Sequence, residues 1–297
     1  MKIAIVVLLH EYKNQQKKLI TYLSKDFDIY VHIDKKSKVK ISEFNIPNVY
    51  TYKEYKIYWG SINLTYATLL LFKKAAKKNY DRYILISGSD IPLKPNKEIY
   101  DFFSNNNKEY LSYTQLPTPW WNGNGGFDRI DFFHANNIDR GNVSFIDKIC
   151  IKITNIIIEK FLTPFMKKHN IRRRINNLKY YGGANWMDLT DSCIQQIIHF
   201  TDNNPKFIKK FKYTNCADEI FFQTIILNYC KNLKLENNLL RYIDWESGPE
   251  YPRTLRTEDF YKLKNSKKLF ARKFNSEVDY EIINAIYKKI NTYEQLS

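Results

Sequence analysis

Glycine and proline are scarce in this chain of 297 residues, with nine of each. Flexible linkers are rich in such residues, so we expect no long linker. No internal repeat is present either. The four cysteines show no CxxC and no regular spacing, which predicts free thiols in a reducing compartment rather than a disulfide framework. These cysteines are Cys150, Cys193, Cys216 and Cys230.

Long apolar runs are also missing, and no stretch is apolar enough to span a bilayer. The first apolar run, Ile3–Leu9, ends before the polar pair His10 and Glu11. It is short and has no small-residue cleavage site, so it predicts a buried strand and not a signal peptide. We therefore expect a cytoplasmic protein.

Acidic residues are outnumbered, with 31 Asp and Glu against 47 Lys and Arg, a net charge of +16. Such a balance favours a polyanionic partner, either nucleic acid, an anionic membrane or a phosphorylated substrate. The alternative is that the lysines are simply solvated, because they are spread along the whole chain. No helix-turn-helix, zinc-knuckle or RNP-like pattern is present, so a basic nucleic-acid-binding protein stays only as the non-enzyme alternative.

What the first half does contain is an alternation of apolar runs and helical periods. Strands are predicted at Ile3–Leu9, Phe27–Asp34 and Asp81–Leu93, the last breaking into a loop at Gly88, with helices at about Gln15–Ser24 and Ser61–Lys77. This order predicts an α/β fold with a mostly parallel central sheet flanked by helices. Ligands of such sheets bind beyond the carboxyl ends of the strands. Those ends carry His10, Asp34 and the turn Ser87–Asp90, although histidines at strand ends are often core residues.

The second half is less regular. The loop Pro117–Arg129 carries Trp120 and Trp121, which can stack on a sugar or base or can fill a small core. The segment Asp147–Arg174 predicts a basic amphipathic helix, interrupted near Pro164, and a further helix is predicted at about Asp188–Phe200. Such a helix can lie on an anionic bilayer, where a polyprenyl-diphosphate-linked acceptor is found, or it can be an ordinary packed surface helix.

Two carboxylates, Asp218 and Glu219, stand directly before the apolar run Ile220–Phe222. Asp is a favoured N-cap, and Glu in a first turn is favoured by the helix dipole, so capping alone is one explanation. The functional alternative is that Asp218 starts a helix running to about Tyr229 while Glu219 projects into a cleft as a general base.

The turn "ISGSDIPL" has one acid, Asp90, where a metal-binding Asp-x-Asp motif would supply two. We therefore expect no metal site there. Without a metal, fixed cations must neutralise any leaving diphosphate. Lys273 in "LFARKF" and the arginines of "YPRTLR" are candidates, and an exposed basic turn is the alternative.

Together these segments resemble the core-2/I-branching β-1,6-N-acetylglucosaminyltransferase family, which includes the peptide xylosyltransferases. The matching segments keep the order of the family along nearly the whole chain. They are "LLHEYKN", "YVHIDKK", "YWGSINL", "YILISGSDIPL", "YGGANWMDLT", "ADEIFFQT" and "LFARKFNSEVD".

The resemblance implies an inverting glycosyltransferase with a GT-A-like fold that uses a UDP-sugar and needs no divalent metal or other cofactor. It implies one domain over 1–297, with a nucleotide-sugar-binding half at 1–115 and an acceptor and catalytic half at 116–297. The implied catalytic base is Glu219. The implied donor-binding residues are His10, Asp34, Lys36, Tyr58, Trp59, Asp90, Arg253, Arg256 and Lys273, with Arg253 and Arg256 competing for the diphosphate. The implied acceptor-binding residues are Trp120, Trp121, Arg129 and Trp245.

The sequence lacks the membrane anchor, stem and cysteine set of the animal branching enzymes. We therefore expect a bacterial type of member that transfers GlcNAc, or alternatively xylose or a hexose, to a glycan in surface-polysaccharide synthesis. The expected location is cytoplasmic, with peripheral membrane contact through residues 147–174.

Overall fold

The computed structural model describes residues 1–135, 143–249 and 252–296, the last four of these through their backbone only. The strands are β1 Ile3–Leu9, β2 Asp28–Ile33, β3 Val49–Tyr52, β4 Arg82–Ser87, β5 Ile91–Pro92, β6 Lys108–Leu111, β7 Thr114–Gln115, β8 Tyr181–Gly182, β9 Met187–Thr190, β10 Lys234–Asn237, β11 Arg241–Ile243 and β12 Phe270–Arg272.

The α-helices are α1 Asn14–Leu23, α2 Ile62–Ala75, α3 Asn96–Ser104, α4 Asn122–Gly125, α5 Asp128–Asp131, α6 Phe145–Ile157, α7 Thr163–Lys168, α8 Asp191–Asn203, α9 Pro205–Lys210, α10 Phe221–Tyr229, α11 Phe260–Lys264 and α12 Tyr280–Leu296. A π-helical turn at Ile158–Leu162 joins α6 to α7. Short 3₁₀ turns lie at Ile41–Phe44, Ala76–Lys78, Ala217–Glu219 and Thr257–Asp259.

The main sheet has the strand order β10-β6-β9-β4-β1-β2-β3. Strand β1 is apolar and buried at every position and pairs in parallel with both β2 and β4. A strand with neighbours on both edges and helices on both faces needs such a continuous apolar run. Strand β9, from the second half of the chain, pairs antiparallel with β4 and β6. The predicted α/β fold with a mostly parallel central sheet is therefore confirmed.

Successive side chains of β1 point to opposite faces of the sheet and so enter two different cores. Ile5 and Val7 pack with α1, α3 and α12 on one face. Ala4 and Val6 pack with α2, α8 and α10 on the other face. The sheet is thus covered by helices on both sides, and its carboxyl edge is left for a site.

A smaller sheet, in the order β11-β12-β5, stands beside this edge. The chain leaves β4 at Ser87, turns through Gly88 and enters β5, which pairs antiparallel with β12. A Cβ at Gly88 would lie 2.6 Å from Leu9 Cδ2, so only glycine fits this close crossing of the end of β1. The predicted break at Gly88 is confirmed, and it brings the Asp90 turn next to the strand that carries Arg272.

The second half departs from the predictions at two places. The helix predicted from Asp188 begins only at Asp191, because Thr190 is the N-cap and its hydroxyl accepts from Cys193 N at 3.3 Å. Asp188 lies in β9 instead. The helix predicted over Asp147–Arg174 ends at Lys168 and consists of α6, the π-helical turn and α7.

Asp188 is fully buried and forms an ion pair with Arg241 of β11. Arg241 Nη2 lies 2.7 Å from Asp188 Oδ1 and donates to Leu85 O at 2.9 Å. A buried pair of this kind is tolerated only when its hydrogen bonds are satisfied. It ties the main sheet to the smaller sheet beneath the site.

All four cysteines are free thiols, as predicted. Among the described residues, no helix is both long enough and apolar enough to cross a membrane.

Candidate active site

Glu219 lies in the 3₁₀ turn Ala217–Glu219, and α10 begins two residues later at Phe221. The prediction that Asp218 starts the helix is therefore wrong. Cys216 has a left-handed backbone with φ of 50°, which folds the chain into the tight turn before the helix can begin. Within the turn, Glu219 N donates to Cys216 O at 3.0 Å. The turn is followed at once by Ile220 and Phe221, both fully buried, so its position is fixed by the core.

The Glu219 carboxylate is partly exposed and contacts Arg129, a residue predicted for the acceptor side, which in turn packs on Trp121. Arg129 Nη1 donates to Glu219 Oε2 at 2.6 Å. The Arg129 guanidinium lies 3.9 Å from the centre of the Trp121 ring, a cation–π contact. Sequence positions 121, 129 and 219 are thus brought together by the fold.

The glycines of "NGNGG" and "YYGG" make room for this cluster. A Cβ at Gly182 would lie 2.4 Å from Trp121 Cη2, and one at Gly126 would lie 2.5 Å from Trp121 Cε3. Gly126 also has φ of 91°, a conformation that L side chains rarely adopt. Gly126 and Gly182 therefore lie directly against the Trp121 ring, where a larger residue would clash with it.

Asp218 points away from the solvent and is buried. Burial and the adjacent Glu219 charge raise the pKa of Asp218 to about 7. Its ionised form is therefore disfavoured in the folded protein. The two carboxylates of the motif have separate environments, and only that of Glu219 is open to a ligand.

A second cluster forms at the end of β2, where Asp34, Lys36 and Tyr58 meet. Asp34 Oδ1 accepts from Lys36 N at 2.9 Å and from Ile57 N at 3.1 Å. Lys36 Nζ lies 3.3 Å from Asp34 Oδ2 and 4.7 Å from the centre of the Tyr58 ring. Three of the predicted donor-binding residues therefore form one packed group, with Trp59 half exposed beside it.

A third cluster surrounds the Asp90 turn. Asp90 Oδ2 accepts from Ser87 N at 2.7 Å and from Ser87 Oγ at 2.5 Å. Arg272 Nε lies 3.8 Å from Asp90 Oδ1, and the Arg272 guanidinium lies 4.0 Å from the centre of the Trp186 ring. A fixed cation thus stands beside the one acid of this turn.

Backbone hydrogen bonds bring the segments of the three predicted cations next to this turn. Phe274 N donates to Ser89 O at 2.9 Å, which sets Lys273 beside the Asp90 turn. Leu255 N donates to Lys273 O at 2.9 Å, which brings the segment of Arg253 and Arg256 alongside. Arg253 forms ion pairs with Asp244 at 3.0 Å and Asp259 at 2.5 Å, whereas the Arg256 side chain is exposed.

The remaining predicted residues stand apart. Trp120 and Trp245 expose 70% and 51% of their surface, so their ring faces are open to a ligand, but no described contact joins them to Glu219. His10 is exposed at the end of β1, 4.0 Å from Glu11. His32 is a core residue, and burial lowers its pKa to about 4.

The sequence analysis missed Arg272 and Trp186. Arg272 directly precedes Lys273 in "LFARKF", so the motif itself contained the signal. The partner ring could not have been found, because Trp186 is distant in the sequence. In the described part of the chain, no three His, Cys, Asp or Glu residues are grouped so that they could hold a metal ion.

The family model described as Core-2/I-Branching enzyme matches residues 3–268. Xylosyltransferase 2 of Mus musculus is 22% identical over 96% of this chain and 33% of its own length. Beta-glucuronosyltransferase GlcAT14A of Arabidopsis thaliana is 27% identical over 75% of this chain and 46% of its own length. A crystal structure of S. aureus TarS 1-349 superposes with a TM-score of 0.41 at 11% identity, covering 96% of this chain and 64% of that one.

The class of protein is an α/β protein with a mostly parallel central sheet and a partly exposed carboxylate at its edge. More particularly, the chain belongs to the Core-2/I-Branching enzyme family. The predicted enzyme class, glycosyltransferase, is that of its named relatives. The chain spans about a third of the length of the xylosyltransferase that it matches.

Proposed function

We propose that this chain is an inverting glycosyltransferase that moves a sugar from a UDP-sugar to a hydroxyl group of a glycan acceptor, without a divalent metal. GlcNAc is the first candidate sugar, and surface-polysaccharide synthesis is the proposed context. The observation that carries the proposal is the Glu219 carboxylate, which is open to a ligand and yet fixed by the buried start of α10.

In the proposed reaction the acceptor oxygen attacks the anomeric carbon while its proton passes to Glu219. The bond from the anomeric carbon to UDP breaks, and UDP leaves with the electron pair, so the configuration inverts. A base that is already positioned contributes about 10²–10⁴-fold to such a step. In the absence of an acceptor, Glu219 Oε2 accepts from Arg129 Nη1 at 2.6 Å, which holds the carboxylate in place.

The cations around the Asp90 turn support leaving-group stabilisation by side chains. Arg272 stands beside Asp90, where a metal-dependent site would need further acids. Lys273 and Arg256 are proposed to meet the diphosphate. Arg253 is the weaker candidate, because Asp244 and Asp259 already neutralise it. Asp34, Lys36 and Tyr58 are proposed to hold the uridine, and Trp121 and Arg129 the acceptor.

The donor sugar is proposed with alternatives. The named relatives include a xylosyltransferase and a glucuronosyltransferase, so UDP-xylose and UDP-glucuronic acid belong in the test beside UDP-GlcNAc and the UDP-hexoses. The test measures UDP release from each sugar nucleotide, with and without EDTA. Release that is unaffected by EDTA is expected. Loss of release with EDTA would overturn the proposal of a metal-independent reaction.

The base is tested by Glu219→Gln, with Glu98→Gln on α3 as the matched control. Transfer is expected to fall by about 10²–10⁴-fold in the first variant only, because an amide cannot accept the proton. UDP affinity, measured by calorimetry, should stay within about twofold in both variants. Transfer retained by Glu219→Gln would remove Glu219 from the role of base.

A membrane-bound acceptor is a further part of the proposal, and it is supported by the surface of α6, the π-helical turn and α7. Most of this segment is exposed, and its apolar residues recur three or four positions apart on one side. The exposed residues are Phe145, Ile146, Ile149, Ile153, Ile156, Ile157, Phe161 and Phe165. Exposed apolar surface on this scale marks an interaction site.

Charge decides which partner this face fits. Lys148, Lys152, Lys160, Lys167 and Lys168 are exposed on the same segment. Apolar side chains flanked by lysines match the interface of an anionic bilayer. The segment also starts beside the Asp34 cluster, since Lys56 Nζ lies 2.6 Å from Asp147 Oδ2. Docking there would present a polyprenyl-diphosphate-linked acceptor to the site.

Co-sedimentation with liposomes tests this contact. Binding to vesicles with anionic lipid is expected, together with weaker binding at high salt and to neutral vesicles. Phe161→Ser should reduce the bound fraction several-fold, and Tyr261→Ser, at an equally exposed ring on α11, should not. No binding to anionic vesicles at moderate salt would contradict the proposal.

A further inference from the structure

The segment "YGGANW", residues 181–186, belongs to the family pattern, and the reaction proposed above gives it no role. We call it the linking segment. It contains β8 and runs directly into the first residue of β9. Because β9 is antiparallel to β4, that residue lies at the carboxyl edge of the main sheet. The linking segment therefore lies at the edge on which the candidate site is built.

One end of the linking segment contacts the base and its partner. Gly183 N donates to Glu219 O at 2.9 Å, which fastens the 3₁₀ turn to the segment. Gly182 lies against the Trp121 ring, and that ring carries the guanidinium of Arg129. The segment thus contacts Glu219 directly and, through Trp121, the arginine that is paired with it.

Two polar residues of α10 fasten the helix to the same segment. Gln223 and Thr224 are fully buried, although the rest of residues 221–226 is apolar. Gln223 Nε2 donates to Ala184 O at 3.0 Å, and Thr224 Oγ1 accepts from Tyr181 N at 3.2 Å. Burying polar side chains costs free energy unless they are hydrogen-bonded. Such bonds are directional, so they fix the rotation and height of α10 where apolar contacts alone would not.

The other end of the linking segment contacts the cations. The Trp186 ring is buried and lies 4.0 Å from the guanidinium of Arg272, a cation–π contact. Arg272 Nε in turn lies 3.8 Å from Asp90 Oδ1. Because Arg272 directly precedes Lys273, a fixed Arg272 side chain restricts where the backbone of Lys273 lies. Trp186 therefore acts on the position of the proposed diphosphate ligand.

We propose that the linking segment is a positioning element that holds the base at one end and the leaving-group cations at the other. Gln223 and Thr224 position Glu219, and Trp186 positions Lys273. The inference rests on the proposed function, because it takes Glu219 as the base and Lys273 as a diphosphate ligand. In an inverting transfer the base and the leaving group act on opposite sides of one carbon, and a misplacement of about 1 Å can cost about 10²-fold.

The base end is tested by Gln223→Met, which keeps the length of the side chain and removes the donor to Ala184 O. We expect kcat for transfer to fall at least about tenfold, with UDP affinity within about twofold. In a Glu219→Gln background the same substitution should change the residual rate less than about twofold, because the group that it positions is already lost. Equal fold-losses in the two backgrounds would overturn the inference.

Asn96→Leu on α3 is the matched control for a general loss of stability. Asn96 is also a buried amide, and its Nδ2 donates to a main-chain carbonyl, Tyr22 O, at 3.0 Å on the opposite face of the sheet. Its substitution should leave kcat within about twofold of the wild type. A tenfold loss of kcat in Asn96→Leu as well would show that Gln223→Met acts through stability, and the inference would fail.

Thr224 gives a second pair of variants that does not depend on the folding of Gln223→Met. Thr224→Ser keeps the hydroxyl that accepts from Tyr181 N, and Thr224→Val keeps the shape of the side chain without the hydroxyl. Transfer by Thr224→Ser should stay within about threefold of the wild type, and Thr224→Val should lose at least about tenfold in kcat. Equal rates in the two variants would count against a positioning role.

The cation end is tested by calorimetry with UDP. Trp186→Leu removes the ring under Arg272 and should raise the Kd for UDP at least about tenfold, whereas Trp186→Phe keeps a ring and should raise it less than about threefold. In a Lys273→Met background, Trp186→Leu should change the Kd less than about twofold. The same fold-change in both backgrounds would show that Trp186 does not act through Lys273.

Failure of the inference differs from failure of the proposed function. A wild-type protein that does not bind UDP, or transfer that survives in Glu219→Gln, would contradict the proposed function. UDP binding and a Glu219-dependent rate, together with additive effects at both ends of the linking segment, would leave the proposed function standing and overturn the positioning element alone.

Discussion

Two segments of this molecule are similar in composition and opposite in burial. Residues 216–229, which contain the 3₁₀ turn with Glu219 and α10, are rich in Ile and Phe, and so is the segment of α6, the π-helical turn and α7. In the first, every residue from Ile220 to Ile226 is buried. In the second, the few buried residues include Ile151, Ile158 and Met166, and the other apolar side chains face outward.

The two segments differ in how firmly the rest of the protein holds them. A helix sealed into the core holds its first turn in one place, which is what a catalytic base needs. A helix that leaves its apolar face uncovered gains little stability from that face, and it keeps the surface for a partner. Apolar content by itself therefore does not decide whether a helix is core or interface.

The largest expected effect compares the same substitution in both segments. Phe222→Ala in α10 removes a fully buried ring and should lower the free energy of unfolding by about 3–5 kcal/mol. Phe161→Ala, whose ring is 68% exposed, should change it by less than about 0.5 kcal/mol. Urea unfolding followed by circular dichroism measures both. Equal losses would show that the α6 face is packed in solution and break the comparison.

A smaller effect concerns the acid at the start of the buried segment. The pKa of Asp218 is about 7 in the folded protein, above its ordinary value of 3.8. At Asp218 the folded state therefore keeps a proton that the unfolded state loses, so the contribution of this residue to stability falls as pH rises from about 4 to 7. Buried His32, whose pKa is lowered to about 4, contributes in the opposite direction, so the effect of Asp218 is the difference between variant and wild type. The change in the free energy of unfolding between pH 5 and pH 8 should be about 1–3 kcal/mol less negative in Asp218→Asn than in the wild type. Unfolding curves at pH 5 and pH 8 measure it.

Asp101→Asn on α3 is the control for that experiment, because its carboxylate is half exposed. It should leave the pH dependence as it is in the wild type. The same pH dependence in Asp218→Asn and in the wild type would mean that Asp218 is ionised in the folded protein, and the two acids of the motif would then not differ in their environments.

The smallest expected effect concerns the N-cap residues of α6 and α8. Ser144 caps α6, accepting from Asp147 N at 3.1 Å, and Thr190 caps the buried helix α8. Loss of either cap by substitution with Ala costs about 0.5–2 kcal/mol. For Thr190→Ala this should appear in global unfolding. For Ser144→Ala it should appear mainly as faster hydrogen exchange in the first turns of α6. The same global loss in both variants would contradict the contrast.

Much of the fold followed from local patterns. Strands β1, β2 and β4 are continuous apolar runs, and their parallel order was predictable because helical periods separate them. The errors lie where a tertiary contact overrides the local pattern. Asp188 was predicted in a helix because its neighbours in the sequence favour one. In the structure it lies in β9, where its carboxylate pairs with Arg241, a residue 53 positions away.

The candidate site was proposed from local motifs of the same kind. They singled out Glu219 directly before an apolar run, Lys273 next to Phe274 and Asp34 at the end of β2. They could not show that Arg129 binds Glu219 or that Arg272 packs on Trp186. These contacts join distant segments, and nothing in the local sequence specifies them.

The sequence by itself determined the order of strands and helices, the positions of the acids and cations and the family pattern, because these depend on residues close in the chain. Only the tertiary structure decided which apolar faces are covered and which of two adjacent carboxylates meets solvent. Burial and charge pairing are sums over neighbours in space, and a chain acquires those neighbours only when it folds.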